Sequence, residues 1–117
     1  PLAFFGSEAN RELHSKIYEL AKRPPGLSER VYREKDILKA ALADFVASRS
    51  IDLLVVENAL AIPIQIPLGL AITEYLSETE MPAIAHHHDF VWERERFRRN
   101  CAEDWLDAAF PPSVRSI

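Results

Sequence analysis

Glycine is scarce. The chain has 3 in 117 residues, at Gly6, Gly26 and Gly69, where average usage of about 7% would give roughly 8. No two lie close enough to form a phosphate-cradling loop, so neither a P-loop nor a GxGxxG turn is present. Cysteine is nearly absent. Cys101 stands alone, which excludes an intrachain disulfide and fits a reducing compartment. A basic excess is also lacking: 14 Lys and Arg face 18 Asp and Glu, a formal net charge of -4. That balance gives no support to contacts with a phosphate backbone, so no nucleic-acid partner is expected. The longest apolar stretch, 59–72, is broken by Gln65 and by Pro63 and Pro67, and it falls short of the roughly 20 residues that cross a bilayer. No basic, apolar-cored leader is visible at the start, so the expected setting is soluble and cytoplasmic. The opening residue is Pro1 rather than Met, which reads as a processed or excised piece.

What is present suffices for a core. Apolar residues make up 48% of the chain and charged ones 27%, which excludes general disorder and, at this length, allows one domain at most. Ser7 reads as an N-cap with Glu8 in the first turn, and Leu13, Ile17 and Leu20 recur at helical spacing, so a helix is expected over 8–22, stopped by Pro24-Pro25-Gly26. Ser28 is expected to cap a second helix. Its apolar stripe is Leu38, Ala41, Leu42, Phe45 and Val46, with Glu34, Lys35, Lys39 and Asp44 pointing outward. The run 51–56 contains four consecutive apolar residues from Leu53, the pattern of a strand buried on both faces of a parallel sheet. Pro67 suits the first turn of a third helix running to about Thr79, and 83–87 reads as a second buried strand. Asp89 is expected to cap a helix through Phe90, Trp92 and Phe97. A last short helix, 101–110, ends at Pro111-Pro112.

This order implies α/β architecture. In such sheets ligands bind beyond the carboxyl ends of the strands, where the sequence puts Glu57-Asn58 after one strand and His86-His87-His88-Asp89 after the other. Alternation sets His86 and His88 on one strand face. One reading is a metal site with Asp89 adding an oxygen, although His14, Cys101 and Glu57 have no ligand spacing relative to them. Another makes His88, at the tip, a polar or catalytic group in a sugar or phosphate pocket. The plainer reading has His86 and His87 bonding backbone carbonyls. The segment 92–99 carries four arginines and two glutamates. It reads mainly as a solvated face crossed by ion pairs, with Glu93 or Arg94 available to face a ligand from a helix start at the pocket rim. Cys101 reads as a small apolar residue, and Ser48, Ser50 and Ser77 lack a nucleophile elbow.

Two segments carry a resemblance: Asp52-Leu53-Leu54-Val55-Val56-Glu57-Asn58, and the string Pro82-Ala83-Ile84-Ala85-His86-His87-His88-Asp89-Phe90-Val91-Trp92-Glu93-Arg94-Glu95-Arg96-Phe97. Together with the proline-rich stretch between them, they make the chain similar to family-four (group 1) retaining glycosyltransferases of GT-B fold, over part of the N-terminal, acceptor-side domain. The resemblance implies a partial Rossmann-like, three-layer domain across 1–117, with a small parallel sheet of two or three strands flanked by helices. It also implies transfer of a sugar from a nucleotide-sugar donor with retention. The family's active-site histidine would fall on His88, meeting donor-sugar hydroxyls, with Asp89 and Asn58 near the acceptor and Glu57, Glu93 and Arg94 lining that side. Catalysis in the family needs no metal and no cofactor beyond the donor. The glycine-rich first loop and the C-terminal donor domain are not found in these residues, so the expected partners are that donor-binding domain or another copy of the chain, together with a sugar acceptor. The chain by itself is expected to be inactive. A non-catalytic module that assembles with itself, and a small metal-dependent enzyme using His86, His88 and Asp89, are the rival readings.

Overall fold

The computed structural model describes residues 3–110 and the backbone of 115–116. Ser7 opens α1 (Glu8–Tyr18): its hydroxyl accepts from the Asn10 N–H at 3.2 Å, and Glu8 adds negative charge to the first turn. Leu13 and Ile17, four apart, are buried. Leu20 is exposed, so the apolar row that predicts a longer helix has no surface to bury against, and α1 ends well before Lys22.

The second helix, α2 (Leu27–Arg49), begins at Gly26, which takes φ +79°, a left-handed conformation that glycine adopts without a Cβ penalty. Ser28 is therefore not the cap. It lies inside the first turn, and its hydroxyl accepts from Arg23 Nη1 at 3.3 Å. The inward row runs Leu27, Val31 and Leu38, with Leu42 and Val46 partly buried. Phe45 departs from the expected stripe and is 52% exposed. Lys35, expected to point outward, falls inside that row between Val31 and Leu38, and its side chain is only 15% exposed. It meets Glu74 of α3 (Ile66–Thr79) at 2.5 Å, and Lys39 reaches Glu74 at 2.7 Å and Glu78 at 2.9 Å. The two helices pack side by side through this ion-paired seam.

Pro67 lies in the first turn of α3, as its fixed φ favours. The proline-punctuated loop before it covers the core, with Leu60, Ala61, Ile62 and Pro63 buried. Gly69 sits where a Cβ would lie 3.1 Å from the Ala59 carbonyl oxygen and 3.1 Å from the Ala109 Cβ, so the absent side chain lets α3 approach both the loop and α4 (Glu103–Ala109).

Two strands, β1 (Leu54–Glu57) and β2 (Ala83–His86), pair in parallel with Leu54 opposite Ala83 and Glu57 opposite His86. Both are shorter than the runs 51–56 and 83–87. A two-residue β3 (Arg115–Ser116) continues the parallel ladder in the order β1-β2-β3. Pro111-Pro112 lie outside the described residues. The expected α/β class and small parallel sheet are therefore present, consistent with a partial Rossmann-like domain. Alternation sends Leu54, Val56, Ala83 and Ala85 into a core shared with Leu42, Ile72, Tyr75 and Leu76. Val55 and Ile84 face the other way and join neither core cluster of the described residues; Val55 is 56% exposed. A second core gathers α1, the start of α2 and α4 around Phe97.

The segment after β2 is not the expected helix. It forms two single 3₁₀ turns, Val91–Glu93 and Glu95–Phe97. Phe97, the last residue of the second turn, is 1% exposed and packs its ring 4.9 Å from that of Tyr18, and seating one large aromatic in the core needs no continuous helix.

Candidate functional site

Glu57 is the last residue of β1 and His86 the last of β2, and the register sets them side by side. Cross-strand partners share a face, so both project from the open side of the sheet with Val55 and Ile84. His88 follows two residues after His86 and returns to that side. The Glu57 carboxylate gathers both rings: His86 Nδ1 lies 2.9 Å and His88 Nε2 3.0 Å from Oε2. The imidazole centroids are 4.7 Å apart. The ring N–H of His86, then that of His88, holds the Glu57 carboxyl below the ordinary carboxylate range.

Asn58 ties the two strand tips together. Its N–H donates to the His86 carbonyl at 2.8 Å, its Oδ1 accepts from the His88 N–H at 3.2 Å, and its Nδ2 donates to Asp89 Oδ1 at 3.3 Å. To do this it adopts φ +58°, a conformation that asparagine tolerates better than most residues.

Asp89 caps no helix among the described residues, and no hydrogen bond or ion pair among them joins its carboxylate to a histidine. Its carboxylate is engaged by Asn58 and by an ion pair with Arg94. Desolvation raises its pKa, but hydrogen bonds from Arg94 and Asn58 outweigh this and hold it below the usual range. Glu93 also turns inward on the chain: its Oε2 accepts from the Phe90 N–H at 2.7 Å. Of the residues expected to line a site, Glu57, Asn58, His88 and Asp89 form one connected network with Arg94 at its outer end, while Glu93 caps the turn beside it. The metal reading built on His86, His88 and Asp89 fails in its third member. The oxygen beside the histidines belongs to Glu57, whose position follows from strand register rather than from any sequence spacing.

His87 points to the opposite side, with its ring 5.5 Å from Phe90 and 5.2 Å from Phe110. Desolvation, then the charge of His86, lowers its pKa. Trp92 stacks on Phe90, centroids 4.6 Å apart and planes 7° from parallel. Beside the tip of β1, Glu57 and Asn58 border a cavity of about 280 Å³ floored by Phe5, Ile62, Pro63 and Leu68. A larger hollow of about 480 Å³, between α1 and α2, is lined by Asn10, Glu34, Ile37, Leu38 and Gln65. It lies away from the strand tips, and its one acidic group, Glu34, is already paired with Arg30.

The fold and the tip network thus describe a polar site at the carboxyl ends of parallel strands in a partial Rossmann-like unit. Mannosylglucosylglycerate synthase of Thermotoga maritima is 38% identical over 88 residues, 69% of this chain and 17% of that protein. The synthase of the same name from Petrotoga mobilis is 32% identical over 66 residues, 53% of this chain and 15% of that protein. The chain therefore spans less than a fifth of the length of the curated relatives it matches. Both relatives are glycosyltransferases. No protein-family model matches it, and no solved structure matches it. Among the described residues, no helix is long and apolar enough to cross a membrane.

Proposed function

We propose that the chain is part of the N-terminal, acceptor-side domain of a retaining GT-B glycosyltransferase akin to family four, whose parent moves a sugar from a nucleotide-sugar donor to a sugar acceptor in the cytoplasm. The observation that carries this reading is the His88–Glu57–Asn58 network at the carboxyl ends of β1 and β2, in a chain with glycosyltransferase relatives. His88 would contact the donor sugar through Nε2. Glu57 beside it is an ionised acceptor suited to hydroxyl groups, and Asn58 fixes the height of His88 above the strand. The cavity next to Glu57 and Asn58 is the candidate acceptor pocket, and its apolar floor would pack against a sugar's C–H face. Asp89 and Arg94 neutralise each other and position the loop. The donor-binding domain would close the site from the far side, so the 117 residues alone would not turn over.

The test is to express the complete product of the encoding gene and assay glycosyl transfer. His88→Ala is expected to lower turnover about tenfold to a hundredfold, the effect of losing a hydrogen bond worth roughly 1–3 kcal/mol in a desolvated site, with an unchanged circular dichroism spectrum. Full activity in the variant removes His88 from the site. A second reading, a non-catalytic module that completes its sheet with another copy, is favoured by the exposed Val55 on β1 and the exposed Leu53 just before it. Light scattering separates the two readings, because a monodisperse monomer counts against the module.

A further inference from the structure

We propose that Glu57, His86 and His88 form a binding site for one divalent late transition-metal ion of the Zn²⁺ class. This goes beyond the transferase reading and stands on the strand-tip geometry alone. One ligand atom from each of the three residues lies within 4.8 Å of the other two. Two imidazole nitrogens and one carboxylate oxygen are a common three-ligand set for zinc with an open position. In such a site neighbouring ligand atoms stand about 3.3 Å apart around a tetrahedral ion with bonds near 2 Å. Glu57 Oε2 already lies 2.9 Å from His86 Nδ1 and 3.0 Å from His88 Nε2, so an ion needs these contacts to open by only a few tenths of an ångström. The two ring nitrogens must close on each other, and both rings are free to do so because the side chains are exposed, 44% for His86 and 59% for His88.

The cluster is not a chance meeting of flexible side chains. Glu57 and His86 are register partners, and His88, two residues beyond the end of β2, turns back to their side with its Nε2 3.0 Å from Glu57 Oε2. Asn58 clamps the backbone of His86 and His88 to the end of β1, the kind of supporting contact that orients metal ligands. One negative charge and two neutral imidazoles suit Zn²⁺, Co²⁺, Ni²⁺ or Cu²⁺. Mg²⁺ and Ca²⁺ prefer all-oxygen sets. The fourth position faces solvent and would hold water. An ion on His88 Nε2 takes away the atom that would meet a sugar hydroxyl, so metal binding and sugar contact exclude each other there.

The test uses the 117-residue chain, freed of metal with a chelator, titrated with Zn²⁺ against a chromophoric competitor and with Co²⁺ by visible absorption. One equivalent of Zn²⁺ is expected, with Co²⁺ bands of four-coordinate intensity and no competition from Mg²⁺. His86→Ala and Glu57→Gln are each expected to weaken binding at least about tenfold, with circular dichroism confirming the fold. His87→Gln is expected to bind as the parent chain does, because His87 lies on the other side of the strand. Absence of stoichiometric uptake at micromolar Zn²⁺ overturns the proposal. So does an equal loss in His87→Gln and His86→Ala, which would make the site a mere run of histidines. None of these readings depends on glycosyl transfer, so the metal site and the transferase stand or fall separately.

Discussion

Glu57 and His86 are partners in the parallel register, and the carboxylate of the one lies 2.9 Å from Nδ1 of the other. Strand pairing alone brings them together, but what holds the third member, His88, is the residue after Glu57. Asn58 bends the chain out of β1 at φ +58° and spends its amide on the His88 N–H and on Asp89. The site geometry therefore rests on one residue in a left-handed conformation whose side-chain oxygen and nitrogen each hold a partner.

That division can be measured. Asn58→Gly keeps the left-handed backbone and loses only the side-chain hydrogen bonds, an expected loss of about 1 kcal/mol. Asn58→Ala loses the same bonds and also strains the backbone, which adds roughly 1–2 kcal/mol for a side chain held in the left-handed region. Urea midpoints of the two variants check this. Equal destabilisation by Gly and Ala would mean that the backbone relaxes and the turn is not what sets His88 in place.

Much of this was legible in the sequence, and the parts that were not share a cause. Ser7, Leu13 and Ile17 announce α1, Pro67 the start of α3, and the unbroken run from Leu53 a strand in a parallel sheet; each is a local signal. The misread positions depend on contacts distant in the chain. Lys35 looks like a surface charge until α3 brings Glu74 beside it. The arginine-rich segment has helical composition, yet burying Phe97 in the core decides its path. Asp89 resembles a helix cap, but Asn58, 31 residues earlier, and Arg94 claim it. The histidine pair was visible as alternation. Its carboxylate partner was not, because the register that delivers Glu57 is a property of the sheet and not of either strand.

The seam between α2 and α3 offers a second measurement. Lys35 and Lys39 converge on Glu74, with Lys39 also holding Glu78. Exposed pairs contribute little, typically 0–1 kcal/mol, but Lys35 is largely covered and shares its carboxylate with a second cation. A double-mutant cycle on Lys35→Met and Glu74→Gln is expected to return a coupling near the upper end of that range, about 1 kcal/mol, falling as salt is added. The hydrogen bonds from Lys35 and then Lys39 hold the Glu74 carboxyl below its usual value of 4.5. A carboxyl lowered in the folded state stabilises the fold above its unfolded pKa and loses that contribution as the pH falls through the lowered value. The coupling should accordingly be intact at pH 7 and vanish in strong acid. A cycle that returns zero at low salt would reduce the seam to apolar packing alone.

His14 contributes to the response to mild acid. Its ring stands 4.6 Å from that of Tyr18 and 6.0 Å from that of Phe97, against the aromatic centre of the α1 core. Desolvation there lowers its pKa below 6.5, the charge of Arg96 lowers it further, and Glu19 opposes both. The folded state therefore takes up a proton less readily than the unfolded chain. The neutral ring carries no penalty above about pH 6.5, and stability is lost as the pH falls from there toward the lowered folded value, because protons favour the unfolded ensemble. His14→Gln removes the titrating group while keeping a polar side chain of similar reach. Comparing urea midpoints of the two proteins between pH 7.5 and pH 5, roughly the window in which histidines titrate, is expected to show the parent losing stability on acidification relative to the variant. Parallel curves would mean that His14 titrates alike in both states and that solvent, rather than the Tyr18–Phe97 cluster, surrounds its ring.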